Sequence, residues 1–181
     1  MHKYPQETYI AFGANEGDPA ATLSSAIPLL EHELGRLISA SHLYETRALT
    51  LDGEPQKNYI NAALRFSSSL TPLEILDLLM RIELHLGRRR DSLPRWAPRE
   101  IDLDLLFVGA LTEQRQRLIL PHPEIANRDF VLTPLEEIAP NLVHPVLGKT
   151  IKQLEQSLEE RGFARFVIRR MEPGCKISTN G

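Results

Sequence analysis

The chain has 181 residues, 42% hydrophobic and 25% charged, with a formal net charge of -3; this is the profile of a globular chain long enough for one ordinary domain and its core. So mild a charge argues against nonspecific attraction to nucleic acid or to a membrane surface, and no apolar run approaches the roughly 20 residues needed to span a bilayer. "MHKYPQETYIAFG" has no signal-peptide hydrophobic region, and the single Cys175, with neither Cys nor His close by, reads as an incidental thiol of a cytoplasmic protein.

In chain order, "TYIAFGA" predicts a first strand that ends in the turn signals Gly13, Asn15 and Gly17. Asp18 and Pro19 read as the N-cap and first residue of a helix with the stripe Leu23, Ala26, Ile27, Leu30, Leu34 and Leu37. Pro28 lies inside that stripe, so the helix is expected to start late or to kink there. "LISASHLYET" predicts a second strand. In the third, "NYINAALRF", Ile60, Ala62, Leu64 and Phe66 share the core face, which leaves Tyr59, Asn61, Ala63 and Arg65 on the other. "TPLEILDLLMRIELHLG" is a helix with Thr71 as N-cap, Pro72 at N1, Glu74 closing a capping box and Gly87 as the stop. Its stripe of Ile75, Leu79, Ile82 and Leu86 faces a sheet, and Glu83 sits in its last turn.

"REIDLDLLFVG" predicts the fourth strand, with Ile101, Leu103, Leu105 and Phe107 pointing one way and Asp102 and Asp104 the other. The stretch "LPHPEIANRDFVLTPLEEIAP" reads as loop-rich, and Thr150 with Gln153 forms a capping box for a last helix. Beyond Gly162, "ARFVIRR" is a candidate extra strand and "MEPGCKISTNG" a loose tail. This order predicts an α+β fold, a ferredoxin-like βαββαβ sandwich with a mostly antiparallel sheet and an extra C-terminal helix. Helices would cover mainly one face and leave the other free for a site. One domain is expected over residues 1–162, with 163–181 as a C-terminal extension or tail.

The chemistry concentrates around "RWAPREIDLDLLF". Asp102 and Asp104 fall on one face of a strand with about 7 Å between their α-carbons, close enough to share a cation. Oxygen ligands without a thiolate favour magnesium. A bare pair of this kind is more often two exposed carboxylates bonded to arginines. Here Arg88, Arg89, Arg90, Arg95 and Arg99 precede it, and guanidinium forks opposite a carboxylate-held metal describe a polyphosphate site. "GKT" at Gly148 is no P-loop, because the glycine required five residues earlier is Val143. Tyr59 and Phe130 could stack on a flat heteroaromatic ligand and Asn61 could read its edge, with His122 and Arg128 as further candidates.

In order along the chain, "YIAFGANEGD", "YETRAL", "NYINAAL", "RIELHLGRRR", "RWAPREIDLDLLFVG" and "LPHPEIANRDFVLTPLEEIAP" resemble the motifs of the 6-hydroxymethyl-7,8-dihydropterin pyrophosphokinases of folate biosynthesis. The resemblance covers Thr8 to Leu147 and implies that family's sandwich fold and reaction. That reaction is transfer of the β,γ-pyrophosphoryl group of ATP to the pterin's hydroxymethyl oxygen, with release of AMP. By motif position it implies that Asp102 and Asp104 are ligands of two magnesium ions. Arg88, Arg90, Arg99 and Arg128 match phosphate and loop contacts, Arg95 and Trp96 a catalytic loop, and Glu83 and His122 nucleotide contacts. Tyr59 and Phe130 match the rings that sandwich the pterin, and Asn61, Thr46 and the backbone near Leu49 its edge contacts. "YETRALTLDGEP" departs from the family pattern, which carries prolines and a glycine after the threonine.

A monomer with ATP and the pterin as its partners is expected; its site must then be complete within one chain, and all the named residues do lie between Thr46 and Phe130. Two other readings compete. A magnesium-dependent phosphohydrolase would use the same aspartates without a pterin. A non-catalytic RNA-binding sandwich would need a basic face and an RNP-like aromatic pattern, and the chain has neither.

Overall fold

The computed structural model describes residues 4–48, 57–88, 98–162 and 165–171. Strand β1 (Gln6–Ala14) leads to helix α1 (Pro19–Glu33), whose N-cap Asp18 accepts a hydrogen bond from the Ala21 amide. The helix starts at Pro19 and continues past Pro28, contrary to the expected late start. Pro28 is exposed, so the Ser24 carbonyl that loses its partner is left at the solvent side of the helix.

The predicted second strand divides into β2 (Arg36–Ala40) and β3 (Tyr44–Thr46), both paired with β4 (Tyr59–Ser68). Ser41 makes the break. Its amide donates to the Ala63 carbonyl at 2.9 Å, while its hydroxyl, not a backbone carbonyl, accepts the Ala63 N–H. Helix α2 (Pro72–His85) has both halves of the predicted capping box, and β5 (Asp102–Val108) returns along β1.

After β5 come the short hairpin of β6 (Glu113–Arg115) and β7 (Leu118–Leu120), then α3 (Asp129–Ile138), α4 (Ile151–Glu160) and β8 (Val167–Arg170). α3 replaces the second half of the expected loop-rich stretch, because Val131, Leu132 and Leu135 form a stripe that is buried whole, with Pro134 tolerated inside it. α4 begins at the predicted Thr150 and Gln153 box. β8 adds an edge strand by pairing with β3.

The six-stranded antiparallel sheet has the order β5-β1-β4-β3-β8, with β2 also on β4. On one face, α1 and α2 pack on Ile10, Phe12, Ala62, Leu64, Phe66, Leu103 and Leu105. The other face is not left free: α3 and α4 cover half of it over Tyr9, Ala63, Leu106 and Phe107. Phe107 thus lies on the opposite face from the one its alternation predicts. The register jumps from Leu105 opposite Ile10 to Phe107 opposite Tyr9, and the extra residue, Leu106, turns the strand over. Among the described residues no helix is long and apolar enough to cross a membrane.

Gly35 joins α1 to β2 with φ of 135°, and a Cβ there would lie 2.2 Å from the Ser67 carbonyl oxygen. Gly35→Ala is expected to lower stability by more than about 2 kcal/mol, read as a fall in the urea midpoint at unchanged slope.

Candidate active site

The uncovered half of the second sheet face is the floor of a cleft of about 570 Å³. The cross-strand register builds that floor. Gly13 of β1 stands opposite Asp102 on one side and Asn61 on the other, and Ala11 stands between Asp104 and Ala63. Residues paired directly across strands share a face, so the two carboxylates and the amide project together from beside small residues. A Cβ on Gly13 would sit 3.0 Å from Asn61 Oδ1, so only glycine leaves that amide oxygen clear.

Asn61 and Thr46, both nearly inaccessible, are joined by an Asn61 Nδ2 to Thr46 Oγ1 bond of 2.7 Å. That bond fixes the amide so that Nδ2 donates to Thr46 and Oδ1 remains an acceptor. Tyr59 also lines the cleft, and burial raises its pKa above the ordinary phenol value. Phe130, at the start of α3, lies beneath the Arg128 guanidinium, whose carbon is 5.7 Å from the ring centroid.

The carboxylate end is held by α2. Gly87, with φ of 104°, closes a Schellman motif in which Arg88 N–H donates to the Glu83 carbonyl at 3.0 Å and Gly87 N–H to that of Leu84 at 3.3 Å. The turn brings the Arg88 guanidinium onto both Glu83 and Asp102. Glu83 is 1% exposed, and its Oε1 also accepts the Leu103 N–H at 2.7 Å on the outer edge of β5. Burial works against the Arg88 charge, but the charges of Asp102 and Glu83 outweigh it and hold the guanidinium above its ordinary pKa. Arg99 reaches the other Asp102 oxygen. Asn15 fastens the Arg99 backbone by accepting its N–H at 2.7 Å, while the Asn15 and Glu16 amides donate to the Arg99 carbonyl.

The Asp104 carboxylate accepts no hydrogen bond from a described residue, although its backbone pairs with Ala11 of β1. Burial first, and then the charge of Asp102, push its carboxyl up to about 6, against the pull of Arg128, Arg88 and Arg99. A crowded, unpartnered carboxylate beside a second one suits a cation. No cluster of three or more potential ligand side chains occurs among the described residues. The pair Asp102 and Asp104 is a donor set of the kind magnesium takes, which commonly binds one or two carboxylates and fills its shell with water and phosphate.

His122 follows β7, with its amide donating to the Leu106 carbonyl at 3.1 Å. Its Nδ1 accepts the Glu124 N–H at 3.3 Å, which leaves Nε2 to carry the proton of the neutral ring. Burial, and then Arg128, lower its pKa.

Ten of the positions singled out from the sequence thus line one cleft: Thr46, Tyr59, Asn61, Arg88, Arg99, Asp102, Asp104, His122, Arg128 and Phe130. Glu83 lies beneath the cleft instead of lining it. Leu49, Arg90, Arg95 and Trp96 lie outside the described residues, as does Arg89. Sequence reasoning missed Arg47, the anchoring by Asn15, and an apolar slot where Leu76 and Met80 of α2 face Leu118 and Ile119 of the hairpin. Its signal was the four-residue spacing of Leu76 and Met80 beside the core stripe of α2. Among the described residues, five guanidiniums, those of Arg47, Arg88, Arg99, Arg117 and Arg128, line the cleft against two carboxylates, so it is built to take a polyanion.

A model of the family described as 7,8-dihydro-6-hydroxymethylpterin-pyrophosphokinase (HPPK) matches residues 9–140. A 2-amino-4-hydroxy-6-hydroxymethyldihydropteridine pyrophosphokinase of a Synechocystis species is 40% identical over 160 residues, covering 86% of this chain and 80% of that protein. The protein of that name from Haemophilus influenzae is 38% identical over 149 residues, covering 80% of this chain and 91% of its own. Among solved structures, Plasmodium falciparum HPPK-DHPS matches with a TM-score of 0.71 at 17% identity, over 87% of this chain. This chain spans 45% of that larger one, and the likeness establishes the fold.

The lowered pKa of His122 sets a pH response. The folded chain binds fewer protons there than the unfolded chain, so the stability held above pH 6.5 is lost as pH falls from that value through the lower folded pKa. In an NMR titration, the His122 ring is expected to show a midpoint below 6.5, and His122→Gln should flatten the acid limb of stability against pH.

Proposed function

The chain belongs to the 7,8-dihydro-6-hydroxymethylpterin-pyrophosphokinase family, and from that premise we propose that its cleft carries pyrophosphoryl transfer from ATP to the hydroxymethyl group of 6-hydroxymethyl-7,8-dihydropterin. The observation that carries the reading is the shared floor: a carboxylate pair among arginines and an amide beside aromatic rings, side by side on three neighbouring strands. A charged phosphate donor and a flat polar acceptor find complementary chemistry at its two ends.

At the acceptor end, Tyr59 and Phe130 offer ring faces to the pterin, and Asn61 and Thr46 its edge contacts. Leu49, by family position, adds a backbone contact at that edge. At the donor end, Arg88, Arg99 and Arg128 line the cleft and would bind phosphate oxygens, and the slot at Leu76, Met80, Leu118 and Ile119 would offer apolar surface to the adenine. His122 donates through Nε2 as a neutral ring. Arg90, Arg95 and Trp96 complete the donor side by family position.

Asp102 and Asp104 would hold magnesium, which supplies neutralisation of the triphosphate charge. The acceptor's hydroxymethyl oxygen forms a bond to the β-phosphorus. The bond from that phosphorus to the oxygen it shares with the α-phosphate breaks, AMP leaves, and the hydroxyl proton is released. Such transfer depends on in-line placement and charge stabilisation, and the site's residues serve those two ends.

The deciding experiment measures AMP release from ATP and magnesium with and without the pterin. Pterin-dependent AMP is expected, and pterin-independent hydrolysis would establish a phosphohydrolase instead. Asp104→Ala should cut turnover by about 100-fold or more while the circular dichroism spectrum stays unchanged and the melting temperature does not fall; full activity would remove the metal role. Tyr59→Ala should raise the KM for pterin by about tenfold with that for ATP within about twofold, and equal changes for both would remove the stacking role.

A further inference from the structure

The family match ends at residue 140, yet residues 165–171 pack behind residues that line the cleft. β8 runs antiparallel to the three-residue β3, with Val167 opposite Thr46 and Arg170 opposite Tyr44. Arg169 Nε donates to Glu45 at 2.7 Å, and Met171 N–H to the Leu43 carbonyl at 2.8 Å. Just before β8, the Phe166 carbonyl accepts the N–H of Arg47 at 2.8 Å, and Arg47 lines the cleft beside Thr46.

A second anchor comes from α3. Asp129 is 2% exposed, and its Oδ2 accepts the N–H groups of both Phe166 and Val167, at 2.6 and 2.9 Å. Asp129 sits between Arg128 and Phe130, two residues of the cleft wall, so one carboxylate locks the C-terminal segment to the turn that presents them. The lock sets a ring contact: Phe166 meets Phe130 edge to face, with centroids 6.3 Å apart and planes at 89°. Phe130 is therefore oriented by Arg128 over its face and by Phe166 against it at a right angle.

We infer that Phe166, held by Asp129, is a positioning residue for the acceptor ring: it fixes the orientation of Phe130 and thereby tunes affinity for the pterin independently of ATP. This rests on the acceptor assignment proposed above. The contacts named for residues 166–171 run to β3, Arg47, Asp129 and Phe130, the acceptor side of the cleft. The ion pairs of Asp102 are made by Arg88 and Arg99 at the other end.

The test is calorimetric binding of 6-hydroxymethyl-7,8-dihydropterin, and separately of ATP with magnesium, to the full chain and to Phe166→Ala, Phe166→Leu and Phe166→Tyr. For the Ala and Leu variants the pterin Kd is expected to rise about two- to tenfold, the range spanned by one edge-to-face ring pair, with the ATP Kd within about twofold. The Tyr variant keeps the ring and should restore wild-type affinity. Equal weakening of both ligands, or no change for the pterin, overturns the inference. AMP release by the unmodified chain reports on the proposed reaction separately. A chain that binds the pterin without releasing AMP loses the reaction while the binding comparison still decides the role of Phe166. A chain that binds no pterin removes both.

Discussion

Glu83 is the point from which the charged end of the cleft is hung. Its carboxylate is almost wholly buried, and a buried charge is tolerated only when it is paired and hydrogen-bonded. Here it receives the edge amide of β5 and the guanidinium of Arg88. Removing one partner from such a pair costs about 3–5 kcal/mol, because the other charge is stranded. The same guanidinium continues to Asp102, so the helix end, the strand edge and the first carboxylate of the pair are bound into one unit. Arg88 is on that line because Gly87 allows the left-handed turn that ends α2.

The rest of the site follows from which side of the sheet each strand presents. Ala11 and Gly13 keep the middle of β1 low, so that Asp102, Asp104 and Asn61 stand around open space. The bulge at Leu106 then reverses β5, which lets the same strand give Asp102 and Asp104 to the cleft and Leu106 and Phe107 to the core under α3 and α4. A strand without the bulge would point Phe107 at α1 and α2. The second sheet face is thus divided between a chemical half and a packed half, and α3 spans the border with Phe130 at its start and Leu132 and Leu135 in the core.

The electrostatics match a reaction that moves a highly charged group. Arginines outnumber carboxylates along the cleft wall, which attracts a polyanion. Burial first, and then the charge of Asp102, raise the pKa of Asp104, so its negative charge is poorly tolerated there without a cation. His122 is kept neutral by burial and by Arg128, so it offers a hydrogen bond without adding a further charge. Such a site works by placing and stabilising charge.

Much of this was legible in the sequence because it depends on near neighbours. The period-2 pattern of "NYINAALRF" put Tyr59 and Asn61 opposite the core face, "IDLDL" put two carboxylates together, and the Thr71 and Thr150 capping boxes marked both helix starts. Local sterics and short-range hydrogen bonds decide those features, and they are written in consecutive residues. What only the tertiary structure decided depends on partners far along the chain. Pro28 and Pro134 sit inside helices because of what surrounds them, Ser41 breaks a strand by bonding Ala63, and Leu106 bulges against β1. Glu83 sits beneath the cleft because its bonds run to Leu103 and Arg88. The slot between α2 and the hairpin, and the seat of Phe166 on Asp129, likewise exist only once elements distant in sequence have packed, since burial and register belong to the assembled sheet and not to any single segment.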